Sequence, residues 1–361
     1  MPGWSANLTL PELRDPLPES AVRLQSIQSA LYYFSGFSWA SKHLPAVAST
    51  WEGNVKSPFR RKFVWLAIVV AVCPTTNSTG DLRCRIRLAS YRVNGRDSYG
   101  VVEGERIADL ADGRYGDLRS WLGGNGMAEA AKVAASIAVS EVLWRPVIPN
   151  PDKILCVGLN FLEHIREVGK KVEDYPLVFL RLTSTQVGHL QPIIRPRASE
   201  NLDFEGELAV IIGKNGRHIS KEAALQHVAG YSIYNDASVR DWQRHTTQYT
   251  PGKNFPSTGA FGPWMVTADE IPDPTKLHLT TRLNGEVVQD SGLDDLRFSI
   301  PEIISYISTF TELVPGDVII TGTPKGVGAA RKPPLWMKPG DTVEVEISSM
   351  GKLRNPIVQE A

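Results

Sequence analysis

The sequence carries two pairs of glutamates, each pair with its members two residues apart inside an apolar run. One pair is Glu205 and Glu207 in DFEGELAV, and the other is Glu344 and Glu346 in VEVEI. Alternate residues of a β-strand lie on one face, about 6.6 Å apart. Each segment is therefore predicted to place two carboxylates on one face of a strand and apolar side chains on the other.

Two carboxylates on one strand face have two interpretations. Either water solvates the face, or the pair binds a cation that offsets the repulsion between the charges. Because the candidate ligands are oxygens, with no clustered His or Cys beside them, such an ion would be Mg²⁺ or Mn²⁺ rather than Zn²⁺. The spacing alone does not separate these interpretations, and a solvated face is the ordinary outcome for an isolated pair.

The first pair has a candidate third acid, and the second has none. Asp236 ends the segment YSIYND, where a strand is predicted to pass into a helix. A side chain at such a junction often projects into a site, although it could equally cap the following helix. Cation binding is therefore favoured for Glu205 and Glu207, whereas Glu344 and Glu346 are predicted to lie on a solvated edge.

Three further groups of polar residues could take part in chemistry. His164 and Glu167 are three apart in a short predicted helix, where the carboxylate could raise the basicity of the imidazole so that it activates water. Arg240 and Gln243 share a helix face and could hold a carboxylate and a carbonyl of a substrate. Lys253 lies in a loop rich in Gly and Pro, where its ammonium could meet an oxyanion or an enolate. Each of these side chains, taken alone, could instead be solvated.

Composition favours a small molecule as the partner. Lys and Arg together number 39, as do Asp and Glu, in a chain of 361 residues. Bulk charge therefore favours neither nucleic acid nor an anionic membrane. The sequence also lacks the GxxxxGK[ST] phosphate loop, the HExxH zinc motif and the GxSxG nucleophile motif.

Cysteine usage and one apolar stretch bear on the compartment. Three cysteines without a CxxC spacing argue against a disulfide framework and against structural zinc, so a reducing cytoplasm is the expected location. The apolar stretch 63–72 follows a basic cluster, as in a signal peptide, but it is shorter than the roughly 20 residues of a membrane helix and begins too far into the chain. It is expected to be a buried strand or an adventitious segment.

The chain divides into three predicted regions. Residues 1–84 show no sustained period and receive no fold assignment. Residues 85–148 are predicted to form a small module, with a hairpin about Asn94-Gly95 and helical composition over 127–142. Residues 149–361 are predicted to form the catalytic domain.

Short strands outnumber helices in the predicted catalytic domain, which indicates an α+β class dominated by β structure. The predicted strands are 154–160, 203–213, 231–236, a strand that begins at 316, and 341–349, with a hairpin over 277–289 about Asn284-Gly285. The predicted helices are 161–169, 221–230, 238–245 and 301–309. The third of these begins with Ser238 and Asp241, which resemble a capping box.

Taken in order, the motifs of residues 153–361 closely resemble the fumarylacetoacetate hydrolase family, and 87–148 resemble the small N-terminal module of many members. The motifs that carry the resemblance are VGLNFLEHIRE, DFEGELAVIIGK, YNDASVRDWQ, GKNF with GPW, NGEVVQ, PGDVIITGTPKGVG and KPGDTVEVEI.

This resemblance implies a mixed β-roll domain, usually in a homodimer, and a set of site residues. A Mg²⁺ or Mn²⁺ ion would be held by Glu205, Glu207 and Asp236. The family's mobile lid carries a His-x-x-Glu pair, which falls on His164 and Glu167. The active-site lysine falls on Lys253, and the substrate-contacting residues fall on Arg240, Gln243 and Thr323.

The resemblance also implies a class of reaction. Members act on 2-oxo acids and 1,3-diketo acids by C–C hydrolysis, decarboxylation or tautomerisation, all through an enolate that a metal can stabilise. We expect a hydrolase of an acylpyruvate-like substrate. The alternatives are a 2-oxo acid decarboxylase or keto–enol tautomerase with the same site and, in another class, a non-catalytic relative that binds metal or ligand.

Several positions depart from the family pattern. Pro256 stands where members often have Asp, and Leu293 and Arg297 stand where many have Thr and Ile. These departures affect substrate specificity rather than metal binding. Residues 1–84 have no counterpart in the family, which suggests an extended or mis-set start.

Overall fold

The computed structural model describes residues 86–124 and 133–361. The expectations for residues 1–84, including the apolar stretch 63–72, lie outside the described residues. None of the helices in the described ranges combines the length and the apolar composition that spanning a bilayer requires.

The described part of the chain is built mainly from short strands. These are β1 (Arg87–Val93), β2 (Arg96–Glu103), β3 (Arg106–Asp109), β4 (Ile137–Ala138), β5 (Leu143–Trp144), β6 (Ile154–Gly158), β7 (Leu177–Arg181), β8 (Gln186–Val187), β9 (Ile193–Arg195), β10 (Leu202–Asp203), β11 (Gly206–Ile212), β12 (Val228–Asp236), β13 (Ser238–Val239), β14 (Gly259–Thr267), β15 (His278–Leu283), β16 (Glu286–Gly292), β17 (Val318–Ile320), β18 (Thr342–Ile347) and β19 (Gly351–Gln359).

Twelve of the described strands form one large mixed sheet. Its main path runs β4-β3-β2-β1-β14-β12-β11-β17-β6-β7, with β5 paired to β1 and β8 paired to β14. A second sheet has the order β16-β15-β18-β19-β9, and β10 pairs with β13. Most neighbours are antiparallel, but β17 with β6, β14 with β8 and β19 with β9 are parallel. The predicted α+β class with dominant β structure is confirmed.

The strand β11 has apolar core on both of its faces. Leu208 and Val210 belong to a cluster that includes Leu279 of the second sheet. Ala209 and Ile211 belong to another cluster, shared with the strands β1 and β2. The predicted alternation of faces holds, but all seven residues of β11 are buried, so neither face is solvated.

The N-terminal strands extend the large sheet. β1 pairs with β2 on one side and with β14 on the other. The predicted division of the chain near residue 148 stays a prediction, because these strands share a sheet and a core with the strands that follow.

Both predicted Asn-Gly turns are confirmed. Asn94 and Gly95 join β1 to β2 with φ of 50° and 76°, and Asn284 and Gly285 join β15 to β16 with φ of 53° and 85°. Two consecutive residues in the left-handed region match the twist of a two-residue hairpin, and Asn and Gly adopt that region most readily.

The α-helices of the described residues are short. They are α1 (Leu118–Gly123), α2 (Leu162–Glu167), α3 (Arg240–Gln243), α4 (Thr250–Lys253) and α5 (Ile300–Phe310). The helices predicted over 161–169 and 301–309 are confirmed as α2 and α5. The one predicted over 238–245 is a single turn, α3.

Two helix predictions are wrong because pairing between strands overrides local propensity. Over 221–230, Ala224–His227 forms a 3₁₀ turn, and the chain from Val228 joins β12, which pairs with β11 and β14. In the described part of 127–142, the short strand β4 pairs with β3 and a 3₁₀ turn follows.

The predicted capping box of Ser238 and Asp241 is absent. The Ser238 hydroxyl donates to the carbonyl of Asp236 at 2.9 Å, and the Asp241 carboxylate accepts from Ser199 Oγ at 2.6 Å. The final strand, β19, was not predicted, although it completes the second sheet beside β18.

The helix α5 begins with a capping box of its own. Glu302 Oε2 accepts a hydrogen bond from the Ser299 N–H at 3.0 Å, and Ser299 Oγ accepts from the Glu302 N–H. The Lys221 ammonium lies 2.9 Å from Glu302 Oε1. The bond from Lys221 and those from Ser299 lower the pKa of Glu302 to about 2.

We predict that Glu302→Gln lowers the free energy of unfolding by about 1 kcal/mol at neutral pH, the usual size of a lost cap. Because the folded pKa is depressed, the ionised carboxylate stabilises the fold above about pH 4.5, and this contribution disappears as pH falls toward 2. Urea unfolding across this range measures the difference between variant and wild type. Glu312→Gln is the control, and a difference that does not change with pH would contradict the assignment.

Candidate metal centre and active site

Antiparallel pairing brings the two glutamates beside Asp236. β11 and β12 are in a register that places Gly206 opposite Asn235, and the Asp236 N–H donates to the Glu205 carbonyl at 2.8 Å. The end of β12 therefore lies beside the start of β11. Ligand oxygens of Glu205, Glu207 and Asp236 lie within 4.8 Å of one another, and all three residues are buried.

Three buried cations surround these carboxylates. Lys253 Nζ lies 2.5 Å from Glu205 Oε2 and 2.6 Å from Asp236 Oδ2, so the ammonium bridges two of the acids. Arg181 Nη1 lies 2.5 Å from Asp236 Oδ1, and Arg240 Nη2 lies 2.8 Å from Glu205 Oε1. Buried carboxylates require this pairing because their transfer from water is otherwise very costly.

Glu207 differs from the other two acids because no Lys or Arg of the described residues forms an ion pair with it. Its Oε2 accepts the Gly322 N–H at 2.5 Å. Burial, followed by the charges of Asp236 and Glu205, raises the pKa of Glu207 well above its ordinary value. For Glu205, burial acts in the same direction, but Lys253 and Arg240 outweigh it and lower the pKa.

The three acids fit a hard divalent cation. They offer carboxylate oxygens only, and Glu207, which no Lys or Arg of the described residues pairs, would bind such an ion in its ionised form. The buried Glu–Glu–Asp cluster could therefore bind a metal ion of the Mg²⁺ or Mn²⁺ type.

The predicted histidine–glutamate pair is formed on α2. His164 Nδ1 lies 3.0 Å from Glu167 Oε2, and His164 is buried. Burial acts to raise the pKa of Glu167, but the hydrogen bonds from His164 and from the Gly326 N–H leave that pKa below its usual value. An ionised Glu167 can accept a hydrogen bond from Nδ1–H of a neutral His164, and in this tautomer Nε2 is unprotonated, as a base requires. A protonated His164 would lower the pKa of Glu205, so the two side chains are near enough to interact.

The predicted substrate-contacting residues lie around the acids. Arg240 Nη1 donates to Gln243 Oε1 at 3.0 Å. Thr323 Oγ1 donates to the carbonyl of Gly206, the residue between the two glutamates, at 3.0 Å. The structure thus brings all nine predicted site residues into one region, through direct contacts or through the loop 322–329.

Three other residues contact the site and were not predicted. Arg181 and Asp203 are fully buried partners of Asp236 and Arg240, and Gln289 donates to Thr323 Oγ1 at 2.8 Å. Asp203 could have been assigned to the site from the sequence, because it is the first residue of the motif DFEGELAV that contains both glutamates. Arg181 ends the apolar strand LVFLR with no charged neighbour, so only the fold reveals its partner.

The VEVEI segment confirms the solvated alternative. The side chains of Glu344 and Glu346 are 18% and 44% exposed, and they pair with surface cations at 3.7 Å and 2.7 Å. The apolar residues between them are buried. Identical spacing therefore leads to different environments, and the surrounding cations and third acid distinguish the candidate site.

We predict that Lys253→Met destabilises the metal-free protein by about 3–5 kcal/mol, because it leaves Glu205 and Asp236 without their shared buried cation. A divalent cation would replace that charge, so Mg²⁺ should raise the melting temperature of Lys253→Met more than that of wild type. Thermal melting with and without Mg²⁺ measures both effects. Lys352→Met, at a surface pair with Glu344, is the control. An unchanged melting temperature in both proteins on adding Mg²⁺ would contradict a cation site.

Two oxaloacetate tautomerases are similar in sequence to a large part of this chain. Bovine mitochondrial oxaloacetate tautomerase FAHD2A is 43% identical over 221 residues, which cover 61% of this chain and 70% of the relative. Oxaloacetate tautomerase YisK of Bacillus subtilis is 41% identical over 224 residues, covering 61% and 74%.

Solved structures are similar over a longer stretch. Fumarylacetoacetate hydrolase from Exiguobacterium antarcticum aligns with a TM-score of 0.68 at 33% identity, over 76% of this chain and 100% of that one. A 5-carboxymethyl-2-hydroxymuconate delta-isomerase from Mycobacterium smegmatis aligns with a TM-score of 0.64 at 28% identity, again over 76% of this chain and 100% of that one.

Residues 153–358 match the family described as Fumarylacetoacetate (FAA) hydrolase C-terminal. The chain is an enzyme of the fumarylacetoacetate hydrolase family.

Proposed function

We propose that this enzyme interconverts the keto and enol forms of a 2-oxo acid that carries a second carboxylate, with oxaloacetate as the first candidate. The observation that carries the proposal is the meeting of a His–Glu pair, a buried acidic cluster and a buried arginine in one region. The relatives named oxaloacetate tautomerase support this reaction. They support it better than the C–C hydrolysis that we expected first from the sequence.

Mg²⁺ or Mn²⁺, held by Glu205, Glu207 and Asp236, would polarise the 2-oxo group of the substrate and lower the cost of enolate formation. Arg240 and Gln243 would bind the adjacent carboxylate, since a guanidinium and an amide match its two oxygens. Thr323, beside the two glutamates, would contact the same end of the substrate.

His164 would be the base that moves the proton. Glu167 accepts the hydrogen bond of Nδ1, so Nε2 is free to take a proton from C3 of the keto form. The C3–H electron pair then forms the C2–C3 double bond, and the carbonyl π electrons move to the 2-oxo oxygen. The 2-oxo oxygen then takes a proton from solvent and Nε2 loses its proton to solvent, which completes the enol, and the reverse sequence returns a proton to C3.

Lys253 would stabilise negative charge rather than accept a proton. Burial acts to lower the pKa of Lys253, but Asp236 and Glu205 outweigh burial and raise that pKa. The side chain therefore stays an ammonium at neutral pH. An ammonium beside the developing enolate favours its formation.

The partners of this enzyme are proposed from the same features. A small 2-oxo acid is the partner that the site suits, and a homodimer without nucleic-acid or membrane partners remains our expectation. The bovine relative is named as mitochondrial, and the cytoplasmic location expected for this chain stays a prediction.

We predict that His164→Gln lowers the rate of enolisation by about 10²–10⁴-fold, the usual contribution of a general base, with Mg²⁺ affinity unchanged. Exchange of the C3 protons of oxaloacetate in D₂O, followed by NMR with Mg²⁺ present, measures the rate above the enzyme-free background. His278→Gln, at an exposed histidine paired with Asp290, is the matched control and should retain the wild-type rate.

Product analysis separates the remaining reactions. Release of CO₂ from oxaloacetate would indicate decarboxylation, and release of pyruvate with a carboxylic acid from an acylpyruvate would indicate hydrolysis. Wild-type protein that does not accelerate C3 exchange beyond Mg²⁺ alone would overturn the proposed tautomerase function.

A further inference from the structure

Asp203 is a fully buried carboxylate that is not one of the three candidate metal ligands. Its Oδ1 accepts the N–H groups of Phe204 at 2.9 Å and Gly328 at 2.7 Å. Its Oδ2 accepts the Ala329 N–H at 2.9 Å and Arg240 Nε at 2.8 Å. Both oxygens are therefore used twice, and the only charged donor among these four is Arg240.

The Arg240 guanidinium is held at Nε and at Nη1, and its third nitrogen, Nη2, lies against Glu205. Asp203 takes Nε, and Gln243 Oε1 takes Nη1 at 3.0 Å. Nη2 is buried and lies 2.8 Å from Glu205 Oε1, but it makes no hydrogen bond of acceptable geometry. Glu205 pairs with the charge of Arg240 without using both N–H groups of Nη2, so a carboxylate of the substrate, the acceptor that best matches a guanidinium, could bind there.

We propose that Asp203 is a positioning residue that orients Arg240 so that Nη2 meets the carboxylate of the 2-oxo acid. This inference rests on the proposed function, because Arg240 is assigned to the substrate there. Asp203 itself touches neither the substrate nor the ion. It acts by fixing the plane of the guanidinium through Nε.

The same carboxylate fixes one end of the loop 322–329. At Gly328 a Cβ atom would come 2.6 Å from Asp203 Oδ1 and would also collide with the Leu335 carbonyl, so the close approach requires glycine. Earlier in the loop, the Gly322 N–H donates to Glu207 and the Gly326 N–H donates to Glu167. Asp203 thus ties Arg240 to the loop that also holds a candidate ligand and the His164 partner.

The negative charge of Asp203 is required for this geometry. In Asp203→Asn one oxygen becomes an NH₂ group, which cannot accept the bonds that the second oxygen now receives. In either orientation the NH₂ group would face two donors, Arg240 Nε with the Ala329 N–H or the Phe204 and Gly328 N–H groups, so the guanidinium and the loop cannot both keep their positions. The shape of the side chain is otherwise conserved, and the three candidate ligands are not altered.

The test compares oxalate binding in the presence of Mg²⁺ with Mg²⁺ binding alone, both by calorimetry. We expect Asp203→Asn to weaken oxalate about 10–100-fold, the usual effect of losing a residue that orients a binding group. Mg²⁺ affinity should change by less than about twofold. The KM for oxaloacetate should rise by the same factor as the oxalate dissociation constant, with a smaller change in kcat.

A double-mutant cycle with Arg240→Lys identifies the route of the effect. If Asp203 acts through Arg240, Asp203→Asn should cause no further loss of oxalate affinity when Arg240 is already Lys. Asp317→Asn is the matched control, because Asp317 is also fully buried and accepts the N–H groups of Val314 and Lys153. It should lower the melting temperature and leave oxalate binding unchanged.

Asp203→Glu gives a second test if Asp203→Asn does not fold. It keeps the charge that the loop N–H groups need but moves the carboxylate by one methylene, so Arg240 shifts and oxalate binds more weakly. Wild-type oxalate affinity in a folded Asp203 variant, or additive losses in the cycle, would overturn the inference. Oxalate binding that depends on both residues, in a protein that does not enolise oxaloacetate, would instead overturn only the proposed function.

Discussion

The structure depends on how the repulsion among three buried carboxylates is compensated, because their ligand oxygens lie within 4.8 Å of one another. Each compensating cation comes from a different element: Arg181 from the edge strand β7, Arg240 from α3 and Lys253 from α4. Because buried charges must be paired, these elements can pack around β11 and β12 only when all the cations reach their partners. The electrostatics of the site therefore constrain the arrangement of three otherwise separate segments.

Backbone N–H groups also orient carboxylates of the site. The loop that follows β17 contacts Glu207, Glu167 and Asp203 in turn, through groups at positions 322, 326 and 328–329. One carboxylate belongs to the acidic cluster, one supports the histidine and one supports the arginine. A single loop thus links the three parts of the proposed chemistry, and its glycines permit the close approaches that side chains would prevent.

Much of the fold and most of the candidate site could be predicted from the sequence where the signals are local. Strong alternation and Asn-Gly turns are local signals, so β11 and both hairpins could be predicted. The segment 221–230 has the composition of a helix, but its second half completes the β-sheet, and pairing with distant strands leaves no local signal. For the same reason Arg181 could not be found, since its partner lies 55 residues away. The pairs Glu205–Glu207 and Glu344–Glu346 could be distinguished only by the third acid and the other polar residues near the first pair, and the structure supports that distinction.

The most direct measurement of the central claim is anomalous diffraction from a crystal grown with Mn²⁺ and oxalate. The account predicts one strong peak enclosed by the carboxylates of Glu205, Glu207 and Asp236, with oxalate on its open side and Arg240 Nη2 donating to the oxalate. A protein that binds Mn²⁺ in solution but shows no peak at these carboxylates, with the Lys253 ammonium still bridging Glu205 and Asp236, would contradict the account.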